Sequence, residues 1–147
     1  MSRTAHLRRQ HDAALDLTRQ ISAAGPDLCQ SGVPFKVSIL LAKLQGLLRI
    51  HFAQEDKALY PFMAKAADPD ASQTAHRFQS EMGNFSAAFD AFASRWGASD
   101  VINADPAAFR RESEAMFTIL TRRIERENDQ LYTLADKIDD WQVKRSA

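Results

Sequence analysis

Apolar residues recur along this chain at intervals of three and four, in four runs separated by helix breakers. The first run is Leu7, His11, Ala14, Leu15, Thr18 and Ile21, and the second is Leu41, Leu44, Leu48, His51, Glu55, Ala58 and Phe62. The third is Phe78, Met82, Phe85, Phe89, Phe92 and Trp96; the fourth is Met116, Leu120, Arg123, Glu127, Leu131, Leu134 and Ile138. Helical spacing puts each set on one face, the face that a packed core covers. Gly25-Pro26 closes the first run, and Ser31-Gly32-Val33-Pro34 precedes the second. Asp68-Pro69-Asp70 separates the second from the third, with Asp70 expected as N-cap. Gly97 follows the third, and Asp105-Pro106 offers the fourth an N-cap and a first-turn proline. Pro61 is expected to kink or end the second helix. Four long amphipathic helices with short connections predict an all-α fold, an antiparallel up-down-up-down four-helix bundle. The whole chain, 1–147, reads as one domain of that kind.

Polar residues stand inside three of these four core stripes. In an antiparallel hairpin, facing residues are about equidistant from the turn. The midpoint of His11 and His51 is position 31, that of Glu55 and Met82 falls beside Asp68-Pro69, and that of Met82 and Glu127 beside Ala104-Asp105. Each midpoint lies in or beside an expected loop, so His11, His51, Glu55, Met82, Arg123 and Glu127 are expected in one layer. His51 and Glu55, four residues apart, share a helix face, and a buried imidazole and carboxylate converging there suit a cation. A weak repeat sharpens the point: His51-Phe52-Ala53-Gln54-Glu55, followed by Leu59-Tyr60, is echoed by Arg123-Ile124-Glu125-Arg126-Glu127, followed by Leu131-Tyr132. Glu55 falls on Glu127, and His51 falls on Arg123. The pattern suggests a metal site made from two similar helices, with one ligand position lost to arginine.

Composition narrows the function classes. Lys+Arg and Asp+Glu balance at 19 each, which gives no electrostatic footprint for nucleic acid. No apolar run is long enough to span a bilayer, and Met1-Ser2-Arg3-Thr4-Ala5-His6 does not read as a signal peptide. Cys29, the single cysteine, allows no intrachain disulfide and is expected to serve packing rather than redox chemistry. A cytoplasmic protein is the plain expectation. No nucleophile–base pair, phosphate-binding loop or cofactor fingerprint points to an enzyme.

At these motifs the chain resembles the hemerythrin-like (HHE cation-binding) family of four-helix bundles with a non-haem di-iron centre. Leu7-Arg8-Arg9-Gln10-His11 is similar to the first-helix ligand motif, and Leu47 to Glu55 followed by Leu59-Tyr60-Pro61 to the second. Arg123 to Glu127 followed by Leu131-Tyr132 resembles the fourth with its histidine replaced. The family expects a histidine in the third helix. His76 is the candidate by residue type, but it lies about 150° from the Phe78–Phe92 stripe, whereas Met82 lies on it. Met82 is therefore expected to face inward and His76 solvent.

The resemblance implies metal ligation by His11, His51, Glu55 and Glu127, the groups that commonly serve one iron. It implies loss of the second iron's ligands at Met82 and Arg123, whose guanidinium would then pair with Glu55 and Glu127 in place of that iron's charge. The implied cofactor is iron, mononuclear rather than di-iron, with zinc and manganese open by ligand type. The implied partners are the metal ion with O2 or NO, and the implied role is oxygen or redox sensing, or iron handling, rather than O2 carriage. The rival reading is a metal-free bundle for regulation or protein interaction.

Overall fold

The computed structural model describes residues 2–138. Among these the secondary structure is helical: α1 (Ala5–Ala23), α2 (Val33–Gln54), α3 (Tyr60–Ala64), α4 (Pro69–Arg95), α5 (Ser99–Ala104), α6 (Pro106–Arg126) and α7 (Thr133–Asp136). The breakers act where expected, with two adjustments. Asp68, not Asp70, caps α4, its carboxylate accepting the Asp70 amide at 2.9 Å. The stretch between Gly97 and Asp105 holds the short helix α5, whose Ile102 is fully buried and anchors it to the core. Asp105 caps α6 by accepting the Ala108 amide. No described helix is long and apolar enough to cross a membrane.

Pro61 does not end the second helix. A π segment, Glu55–Leu59, carries the chain from α2 into α3, and a second, Glu127–Tyr132, joins α6 to α7. Both begin at the paired glutamates of the sequence repeat. A π turn adds one residue to a helical circuit, so residues one position later also turn inward, although Leu131 and Ile138 stay buried where the stripe places them. Uniform helical periodicity predicts Ala58 and Phe62 inside; instead Leu59 and Met63 are buried while Ala58 is exposed. In the second copy Tyr132 and Ala135 are buried, and Leu134 only half so.

The apolar core forms two clusters. One contains Ala14, Leu44, Leu48, Phe89, Leu120 and Ile124 among others, and the second contains Leu7, Leu59, Tyr60, Phe78, Leu131 and Tyr132. Their order alternates along successive long helices. In α1 and α4 the second cluster comes first, at Leu7 and Phe78; beyond α2 and α6 it follows, from Leu59 to Met63 and from Leu131 to Ala135. Between the clusters lie buried His11, His51, Glu55, Arg123 and Glu127. Thr4 joins the two ends of the described chain, its hydroxyl and amide donating to the Asp136 carboxylate. Met82 is buried and His76 exposed, as the aromatic stripe demands. Trp96, the last residue of the third stripe, is also buried, its indole N–H donating to Glu112. Cys29 is exposed, and its neighbour Leu28 does the packing instead.

Candidate metal centre

α1 carries His11 within its length, α2 carries His51 in its last turn, and each π segment opens with a glutamate, so these elements bring the four side chains to the layer between the two apolar clusters. His11 Nε2 lies 3.0 Å from Glu127 Oε1, and His51 Nε2 lies 3.9 Å from the same oxygen and 3.5 Å from Glu55 Oε1. The two imidazole centroids are 4.6 Å apart. His11, His51 and Glu127 each offer a ligand atom within 4.8 Å of the others, a grouping compatible with a metal ion. All are essentially excluded from solvent.

Two amides fix the rings. The Nδ1 of His11 lies 2.8 Å from Asn128 Oδ1, and that of His51 lies 2.7 Å from Gln10 Oε1. Gln10 donates its own N–H to Gln54 Oε1, which sets its amide so that the oxygen faces His51. With Nδ1 hydrogen-bonded to oxygen, each neutral ring presents the Nε2 lone pair to the centre, the tautomer that metal ligation needs. Tyr132 closes the layer. Its hydroxyl donates to Glu55 Oε2 at 2.7 Å and lies 3.2 Å from both Nε2 atoms.

The electrostatics match this crowding. Burial, the largest influence on His51, favours the neutral ring, yet the combined pull of Glu127 and Glu55 raises its pKa to about 9. Burial and then the charge of Glu127 push Glu55 up. Burial also opposes ionisation of Glu127, but hydrogen bonds from His11 and His51 hold it below the usual carboxylate range. Burial first, then the two carboxylates, raise Tyr60 and Tyr132 far above an ordinary phenol. Among the described residues, four buried side-chain polar atoms lack a hydrogen-bond partner: Glu55 Oε1, Glu127 Oε2, Tyr60 Oη and Arg123 Nε. An unpaired buried carboxylate oxygen costs about 1–3 kcal/mol or more, so this donor set fits a cation that would take up the missing interactions.

Arg123 differs from expectation. It is buried, but its guanidinium turns toward α4, donating to Glu81 Oε2 at 2.8 Å and to the Phe78 carbonyl at 2.6 Å. Its Nε stands 3.8 Å from Glu127 Oε2 without a hydrogen bond, and the expected bond to Glu55 is made by Tyr132 instead. The reason is competition: Glu81 and the Phe78 carbonyl on α4, with the Phe78 ring 5.2 Å away, offer acceptors to both terminal nitrogens of the guanidinium. Arg126 shares Glu81 and, with Arg123, holds that carboxyl below its usual range.

Sequence reasoning had brought His11, His51, Glu55 and Glu127 to one layer, where they meet. It missed Gln10 and Asn128, although each is an amide adjacent to a layer residue, a signal available in the sequence. Tyr132 was hidden by the π turn, because five residues in a regular helix place a side chain about 140° away from Glu127. The model of the hemerythrin HHE cation binding domain matches residues 2–135 of the chain. Neither the curated proteins nor the solved structures give a significant match.

Proposed function

The chain belongs to the hemerythrin HHE cation-binding family, and from that premise we propose that it is a non-haem iron protein with a single resident ion. His11, His51 and Glu127 hold the ion, with Glu55 as the further carboxylate. The observation that carries the reading is the pair of fixed imidazoles whose Nε2 atoms converge on buried carboxylate oxygens, two of them without a partner. Two nitrogens and two hard oxygens suit iron, with manganese and zinc as chemical competitors. Bound iron supplies one-electron redox chemistry and affinity for O2 or NO. The protein's own residues set the terms: Asn128 and Gln10 orient the rings, Leu7, Leu48, Phe78 and Leu131 exclude water, and Glu55 and Glu127 bring negative charge.

A second ion has no comparable seat. Where the repeat supplies a histidine stands Arg123, which is cationic and cannot coordinate, and Met82 takes the third-helix position. We therefore assign the protein to sensing of oxygen or redox state, or to iron handling, and not to catalysis or reversible O2 carriage. The metal-free reading is weakened, because Arg123 gives its hydrogen bonds to Glu81 and the Phe78 carbonyl and reaches the layer only as a 3.8 Å ion pair with Glu127, leaving Glu55 without it. Elemental analysis of protein purified without chelators and reloaded with Fe2+ tests this. About one iron per chain is expected, falling below about a tenth in His51→Ala, by the ligand count. About two irons, or none, would overturn it.

A further inference from the structure

Tyr132 is placed where a spectator would not be. Its oxygen touches three groups of the layer at once, at 2.7 Å from Glu55 Oε2 and 3.2 Å from each imidazole Nε2, and its side chain is fully buried. The phenol has one hydrogen, and Glu55 receives it. Toward His11 and His51 it therefore presents lone pairs, and with both Nδ1 atoms committed to amide oxygens, neutral rings present lone pairs in return. Glu127 Oε1 adds another acceptor 3.0 Å from His11 Nε2. With both rings neutral, the state that metal ligation requires, acceptors converge from four side chains and the one hydrogen among them, that of the Tyr132 hydroxyl, points to Glu55, an arrangement that a cation resolves.

We propose, on the reading of this layer as a metal site, that Tyr132 is itself a ligand, its phenolate oxygen completing the site and favouring iron(III) over divalent ions. Coordination breaks the phenolic O–H bond and forms an oxygen–iron bond. The phenolic proton is released to solvent, so that Glu55 stays an ionised carboxylate, and no electron is transferred. A hard anionic oxygen stabilises a small trivalent ion more than zinc. Tyr60 is the built-in contrast: it holds the same place in the other copy of the repeat, is equally buried, and has no hydrogen-bond partner.

The experiment is visible absorption and resonance Raman spectroscopy of the full chain loaded with ferric citrate, with iron counted separately. The wild type and Tyr60→Phe are expected to show a phenolate-to-iron charge-transfer band. Tyr132→Phe is expected to bind iron with about tenfold or greater loss of ferric affinity and without the band, while zinc affinity changes much less. Should Tyr132→Phe fold poorly, the wild type alone decides: Raman excitation in the band must enhance tyrosine ring modes that shift when the tyrosine is deuterated. Bound iron with no such band, or a band that survives in Tyr132→Phe, overturns the ligation while leaving the metal site standing. Absence of bound iron overturns both.

Discussion

A proton and a metal ion compete for His51. In the metal-free chain the ring holds its proton to about pH 9, against about 6.5 in an unfolded chain. A pKa raised by folding stabilises the fold fully below pH 6.5, and that contribution disappears as the pH rises through 9. Urea denaturation of metal-free protein should therefore show a loss of up to about 3 kcal/mol between pH 6.5 and 9.5 from this group. Metal binding must expel the same proton, so affinity should rise about tenfold per pH unit up to 9 and then level off, read by competition with a chelator. A flat profile in both measurements would show that His51 is not the group in play. Arg123 gives a second residue-scale expectation. Arg123→Met removes the bond to the Phe78 carbonyl and the ion pair that offsets the buried Glu127 carboxylate, at a cost of about 2–3 kcal/mol in urea unfolding, whereas half-exposed Glu81→Gln costs under about 1 kcal/mol. Equal small costs would mean that Arg123 contributes no more than a surface pair. The histidines and glutamates were legible because each sits on an apolar stripe, where a polar side chain needs a reason. The partners of Arg123 were not, because a long side chain chooses among acceptors that spacing along one helix does not reveal.

Helix phase decides which side chains reach the layer, and the two π segments set it. Each acts as a one-residue insertion after a glutamate, so that Tyr60 and Tyr132 take the inward direction that a residue four positions on would have in a regular helix. Deleting Lys57, an exposed residue inside the first π segment, should restore an unbroken helix and leave Leu59, Tyr60 and Met63 facing inward. The variant is expected to keep its helicity by circular dichroism and lie within about 1 kcal/mol of the parent, because the core pattern is preserved. Its metal affinity should fall by about tenfold or more, since the Glu55 backbone leaves its π geometry. Collapse of the fold instead would contradict the insertion view. This is the feature that periodicity could not foresee. A uniform period follows α2 correctly as far as Glu55 and then assigns Ala58 and Phe62 to the core, one residue early. Pro61 was the available warning: its ring resists a continuous α turn, and the widened turn accommodates it.

Taken whole, the molecule is a helical bundle whose core is divided by a charged layer, an arrangement that packing alone does not favour, since buried charges without partners destabilise. The helical class and the single polar level were legible from four stripes and three loop midpoints, because short connections leave few ways to pack four amphipathic helices. The short helix α5 and the Thr4–Asp136 junction were not, as each depends on contacts between distant parts of the chain. The proposed single ion is held between His11, His51 and Glu127, with Arg123 on the side where a second would sit. Anomalous diffraction at the iron absorption edge, on crystals of the iron-loaded protein, measures this most directly. One peak per chain is expected, about 2 Å from the Nε2 atoms of both His11 and His51. Two peaks bridged by Glu55 and Glu127, or a single peak away from these histidines, would contradict it.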